Sequence, residues 1–365
     1  MKKLALISAL LLTTGVANAQ SSVSLYGRLD TGIRTVDGDK NGNTTSLSHS
    51  ALGGSRWGIE GSEDLGSGTK SSFRLEGTII PTTGANSSVG LFDRQSWVSL
   101  SNKDWGTLRL GRDNTFGLDA LFSGTLDAAG LLDGVGSNAA KVGTVSAYEP
   151  NPLTSLYSTA RGTRRLSNLV KYTNEVNGFN FGAAYALGGV AGDAKNGSTL
   201  NYSLGYSNKD FSTVTTYQTT YDSSNRQMNL WNIGAKYKFG QISFLAAYHE
   251  VKTDAGYNSA DAGYYQNILT GSNNKGKVAV VNTALIYNFA PKWTSTLSYY
   301  NVDQSQGLKT GKVDSVITHL QYDLTKRTSL YGIVDYQKAN GGLSGEALGN
   351  KNNQTGFTAG MRHIF

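Results

Sequence analysis

Cysteine is absent from the 365 residues, and proline occurs only four times. Without thiols there can be no disulfide staples and no Cys-ligated metal or haem. Past the first twenty residues, no run approaches the ~20 apolar residues that a membrane helix needs, so a helical inner-membrane protein is excluded. A β-barrel is not excluded, because its lipid face uses only every second residue. Charged residues make up just 16% of the chain. The four histidines, His49, His249, His319 and His363, are scattered and have no metal-ligand spacing. No Gly-x-Ser-x-Gly elbow occurs. Glycine pairs such as Gly53-Gly54 and Gly188-Gly189 fall in loops and not ahead of helices, which leaves nucleotide binding without support. No basic run is interleaved with aromatics, so nucleic acid is not an expected partner. The sequence therefore points to no catalytic residues, no metal and no cofactor.

Glycine and tyrosine are what the chain has in excess, with 45 Gly and 20 Tyr against 12 Phe and 5 Trp. The net charge is +7. Lys2 and Lys3, then the apolar stretch Leu4 to Val16, then Ala17-Asn18-Ala19 read as a signal peptide over residues 1–19, removed before Gln20. The expected mature chain is one domain, residues 20–365, and loss of the two lysines lowers the +7 to +5.

Period two dominates that chain. Val23, Leu25, Leu29 and Ile33 share one face, while Tyr26, Arg28, Asp30 and Arg34 share the other. Trp57 and Ile59 alternate with Arg56 and Glu60, and Phe73 and Leu75 with Arg74 and Glu76. Sixteen such segments lie near 22–36, 54–64, 69–80, 91–101, 106–112, 166–174, 178–187, 199–208, 210–220, 227–239, 241–252, 276–289, 292–302, 313–324, 327–338 and 355–365. Seven short connections alternate with eight long ones, among them 37–53, 113–165 and 253–275. Short turns at one end and long loops at the other are the pattern of an outer-membrane barrel. The last segment supports this, because Phe357, Ala359, Met361, His363 and Phe365 share a face, and an aromatic final residue is typical of barrel strands recognised by the insertion machinery.

The predicted fold is all-β, a 16-stranded antiparallel transmembrane β-barrel. Hydrocarbon offers no hydrogen-bond partners, and a closed sheet pairs every backbone group without an edge. Tyr172, Tyr185, Tyr206, Tyr237, Tyr287, Tyr299, Tyr322 and Tyr331, at or near segment ends, suit the two interfaces. About eight strands close on packed side chains, whereas sixteen leave an aqueous lumen. Inward Arg28, Asp30, Arg56, Glu60, Arg74, Glu76 and Arg109 require water, so a water-filled channel is expected.

Segment 113–165 is too long for a plain connection. Its first part, DNTFGLDALFSGTLDAAGLLDG, holds Asp113, Asp119, Asp127 and Asp133 and no basic residue. It also holds Phe116, Leu118, Leu121, Phe122, Leu126, Leu131 and Leu132, which need burial. A loop folded into the lumen meets both demands, with its apolar side on the wall and its carboxylates toward the water path. An acidic surface loop is the alternative. The expected constriction sets Asp113, Asp119, Asp127 and Asp133 against Arg28, Arg56 and Arg74, inward by parity, with Arg161, Arg164 and Arg165 clustered where the segment returns to the wall. Arg94 shares the parity of Val98 and Leu100, so it needs a rim position or a bulge. Carboxylates across from arginines create a transverse field, and the arginine excess predicts mild anion preference.

The stretches SSVSLYGRLDTGI, SRWGIEGSEDLGSG, FDRQSWVSLSN, WGTLRLGRD, RRLSNLVKYTNEVNGFNFGAAYALG and GMRHIF resemble the general-diffusion porins of the neisserial and betaproteobacterial type. The resemblance implies a homotrimer in the outer membrane of a Gram-negative bacterium, in contact with lipid and lipopolysaccharide. It also implies a third loop folded inward as the constriction, with Arg56, Arg94 and Arg165 at its narrowest part. The implied function is passive diffusion of ions and small hydrophilic solutes. A channel selective for sugars or organic anions is the alternative, and a ladder of inward aromatics would mark a sugar channel. Tyr26, Trp97 and Tyr300 are scattered rather than laddered.

Overall fold

The computed structural model describes residues 22–39, 42–87, 90–128, 153, 156, 157, 164–258, 274–306, 310–344 and 351–365. They form a closed 16-strand antiparallel barrel. Its strands are β1 (Ser22–Asp39), β2 (Gly42–His49 and Arg56–Gly66), β3 (Thr69–Ile80), β4 (Gln95–Asn102), β5 (Gly106–Asn114), β6 (Arg165–Val176), β7 (Phe179–Ala186), β8 (Thr199–Ser207), β9 (Phe211–Tyr221), β10 (Gln227–Phe239), β11 (Ile242–Thr253), β12 (Gly276–Ala290), β13 (Trp293–Gln306), β14 (Gly311–Asp323), β15 (Thr328–Gly341) and β16 (Asn353–Ile364). A helix, α1 (Phe116–Phe122), follows β5. Each strand pairs with the next, and β1 closes the sheet on β16 from Arg28↔Ile364 to Asp37↔Thr355. At the seam the Gly27 and Phe365 backbones exchange hydrogen bonds at 3.0 Å. The Phe365 ring fills the space that a Cβ on Gly27 would need.

Alternation explains the wall. Ile33, Ile233, Phe244, Leu297 and Phe357 are exposed on the outer face, and their strand neighbours of opposite parity are buried. The short turns use residues that tolerate left-handed backbone. Between β6 and β7, Asn177 (φ 51°) and Gly178 (φ 83°) make the two-residue hairpin that such a pair favours. Near the short-turn ends of β12–β14, Tyr287, Phe289, Trp293 and Tyr322 form a chain of ring contacts, as an aromatic girdle requires.

Three local expectations change. Residues 37–53 are not a plain loop: Gly42–His49 pairs back onto the upper half of β1, and Ser50–Ser55 interrupts β2 as a buried bulge. Residues 91–94 precede β4 instead of belonging to it. Tyr331 faces inward, where its hydroxyl donates to the Asp30 carboxylate at 2.6 Å, so it is not an interfacial tyrosine.

The main buried apolar cluster runs from β10 round to Tyr331 and Ile333 of β15 and on to Ala51 and Leu52. It joins Met228, Leu230, Val251, Val280 and Ile317 of β10–β14 with Leu118, Leu121 and Leu126 from the segment after β5. The arc β1–β6 turns its charged residues inward.

Candidate functional site

Glu76 on β3 organises the charged arc. Arg94 Nε donates to its Oε1 at 2.7 Å, Arg56 Nε lies 3.3 Å from its Oε2, and the Tyr26 hydroxyl donates to Oε2 at 3.1 Å. The Arg165 charge acts on the same carboxylate. Arg94 reaches Glu76 because it sits just ahead of β4, outside the alternation that would have turned it to lipid. It is almost fully buried. Arg56, Arg94 and Arg165 thus converge on one carboxylate that the sequence reading placed inward but did not include in the site.

Arg74 forms a second centre. Its Nε donates to Glu60 Oε2 at 3.0 Å and its Nη1 to Gln95 Oε1 at 3.2 Å. Arg28 stands apart, with Nε donating to the Gly54 carbonyl at 2.9 Å, against the β2 bulge.

The four aspartates divide. Asp113 belongs to β5, is buried, and lies 3.0 Å from Arg109 Nη1 and 3.3 Å from Lys171 Nζ. Asp119, on α1, lies 2.6 Å from the same Nζ and remains partly exposed. Asp127 is buried and accepts from the Tyr300 hydroxyl on β13. Asp133 lies outside the described residues. Asp113 and Asp127 therefore face protein, and Asp119 is the one of the three described aspartates that reaches solvent.

Lys171 was missed by sequence reasoning. It is 1% exposed, ion-pairs with two carboxylates, and donates to the Asn114 carbonyl at 2.9 Å. A bulge around Asn168 (φ 53°) places both Leu166 and Leu169 inside. Parity counted from Leu169 onward would have turned Lys171 inward as well.

Helix α1 begins where the Thr115 side chain accepts from the Leu118 N–H, a standard cap. The Phe116 N–H donates to Asn201 Oδ1 on β8, Thr125 shares a hydrogen bond with Ser212 on β9, and Asn282 of β12 donates to the Leu126 carbonyl. A 740 Å³ cavity adjoins the charged arc and α1, and its lining includes Arg56, Arg74, Glu76, Arg109, Asp119 and Lys171. No group of residues able to hold a metal occurs among the described residues.

The Gram-negative porin family model matches residues 5–342. The chain is 31% identical to outer membrane porin protein 32 of Delftia acidovorans over the full length of both. It is 28% identical to an outer membrane porin of Bordetella pertussis, covering 93% of this chain and 94% of that one. The major outer membrane protein P.IB of Neisseria meningitidis is also 28% identical and is covered in full. Among solved structures, an anion-selective porin from Comamonas acidovorans superposes with a TM-score of 0.73 at 25% identity, covering 94% of this chain and all of that one. Barrel closure, an inward charged arc and these likenesses agree: the chain belongs to the Gram-negative porin family of the outer membrane.

Proposed function

We propose that the chain is a general-diffusion porin with a mild preference for anions, narrowed by segment 113–165 lying inside the barrel. The observation that carries this reading is the charge around the cavity. Arg56, Arg74, Arg94, Arg109, Arg165 and Lys171 outnumber Glu60, Glu76, Asp113 and Asp119. Arginine keeps its charge at any working pH, so the excess persists. The contacts of residues 116–126 with Asn201 and Asn282, beside the outward Tyr202 and Val281, and with Ser212 support an inward loop. Arg28, Arg56, Arg74, Arg94 and Arg165 then form the basic wall, and Asp119 is the carboxylate that meets the water path.

The similar Comamonas acidovorans structure is described as anion-selective, which supports the sign. Among the described residues Tyr26 and Trp97 lie against Arg74 and Tyr300 is buried against Asp127, which favours diffusion over an aromatic sugar ladder. The reading includes a homotrimer surrounded by lipid and lipopolysaccharide, and residues 1–19 as an export signal. Insertion into a planar bilayer should give conductance in three equal steps, and absence of conductance would sink the reading.

A further inference from the structure

The arginines of the lumen wall are long, and an ion pair at one edge leaves the plane of a guanidinium free to swing. Two of them are braced by aromatic rings. The Arg109 guanidinium carbon lies 4.6 Å from the centre of the Trp97 ring, and that of Arg74 lies 5.8 Å from the same centre. Arg74 also stands 5.4 Å from the Tyr26 ring centre. The register brings these residues together: Arg74 on β3 is directly across from Trp97 on β4, and Arg109 on β5 pairs with Ser99, two residues along from Trp97. All three point inward by parity. Tyr26, Arg74, Trp97 and Arg109 therefore form a row across the strands of the charged arc.

Both arginines of the row are tethered too. Arg74 is held by Glu60 and Gln95, and Arg109 by Asp113. Both arginines keep about a third of their side-chain surface exposed and line the 740 Å³ cavity. A cation over an aromatic face is attracted by the ring quadrupole while its edge and remaining N–H groups stay free for water or a passing anion. The ion pairs with Glu60 and Asp113 tie one edge of each guanidinium, and the ring adds a face that fixes its plane without taking up further N–H groups.

We propose that Trp97 is a positioning residue for ion discrimination: its ring holds Arg74 and Arg109 as a fixed pair of charges facing the lumen, with Tyr26 as the second support of Arg74. The proposal rests on the anion-preferring reading above.

The test is the reversal potential of the full-length porin in a potassium chloride gradient, for wild type, Trp97→Leu, Trp97→Phe and Tyr26→Leu. Trp97→Leu should lower the chloride-over-potassium permeability ratio about twofold, the effect of freeing two wall charges in a narrow pore, and should raise open-channel noise. Trp97→Phe, which keeps a ring face, should stay close to wild type, and Tyr26→Leu should give a smaller loss. If Trp97→Leu does not assemble, Tyr26→Leu decides by the same readout. A wild type that prefers anions, beside leucine variants of unchanged ratio, would overturn the brace alone. A wild type with no anion preference would remove the reading beneath it as well.

Discussion

Lys171 Nζ on β6 lies 2.6 Å from the Asp119 carboxylate on α1, and the contact ties the barrel wall to the segment that follows β5. The same ammonium group lies 3.3 Å from Asp113, so one buried cation serves a strand carboxylate and a helix carboxylate together.

Lys171→Met keeps the stem and removes the charge. Asp113 retains Arg109, while Asp119 loses its cation and keeps the Asn114 amide at 2.9 Å. Breaking a buried pair costs about 3–5 kcal/mol, with the lower end expected here because Arg109 remains. The expected outcome is faster amide exchange across residues 116–122 and noisier open-channel current. Unchanged exchange would show that the apolar contacts of α1 and its Asn201 tether hold it without the ion pair.

Glu76→Gln removes the carboxylate shared by Arg56 and Arg94 and felt by Arg165. The wall gains net positive charge, so anion preference should rise while thermal stability falls by about 1–3 kcal/mol, from donors left without a charged acceptor. Reversal potential and thermal unfolding measured on one preparation check both signs.

Arg34 and Asp335 hold the closing seam. Arg34 donates to both carboxylate oxygens, at 2.7 and 3.0 Å, and both side chains are buried. Arg34→Ala strands the Asp335 charge and should cost about 3–5 kcal/mol. Replacing both residues with apolar ones of similar volume should recover much of that loss. Urea unfolding of the single and double variants reads the difference, and equal losses in both would contradict a charge-based account.

Asp222 organises the loop after β9, where its carboxylate accepts from the N–H groups of Ser224, Arg226 and Asn258 and from the Arg226 guanidinium. Burial opposes the charge, but these donors outweigh it and hold the carboxyl below its ordinary value. A lowered carboxylate stabilises above its unfolded pKa, and that stability is lost as pH falls through the folded value. The loop should therefore stay closed at pH 5 and open only below about 3.9, the ordinary aspartate value. Asp222→Asn should remove that pH dependence in amide exchange of residues 222–226.

Much of the wall was legible because lipid imposes a strict period of two. Leu25, Ile233 and Phe357 announce the outer face, and Arg56 and Arg74 the inner one. Departures arise where the backbone breaks that period. Arg94 lies one residue outside β4, so strand parity does not apply to it. The Asn168 bulge hides Lys171. Tyr331 resembles its girdle neighbours in composition, and only Leu330 on its outward flank marks it as inward. The Ser50–Ser55 bulge left no alternation to read. The convergence on Glu76 is a cross-strand relation among β2, β3, β6 and the residue ahead of β4, which no single segment encodes. Asp113 and Asp127 were recognisable as acidic but not as buried, because their partners Lys171 and Tyr300 lie far along the chain.

The central claim is that an excess of fixed inward cations sets the preference of a water-filled pore. The most direct measurement is the reversal potential of single channels in a salt gradient, for wild type beside Arg56→Ala and Asp119→Ala. The account predicts an anion-preferring wild type, a weaker preference in Arg56→Ala and a stronger one in Asp119→Ala. Clear cation selectivity in the wild type, or values untouched by both substitutions, would contradict it.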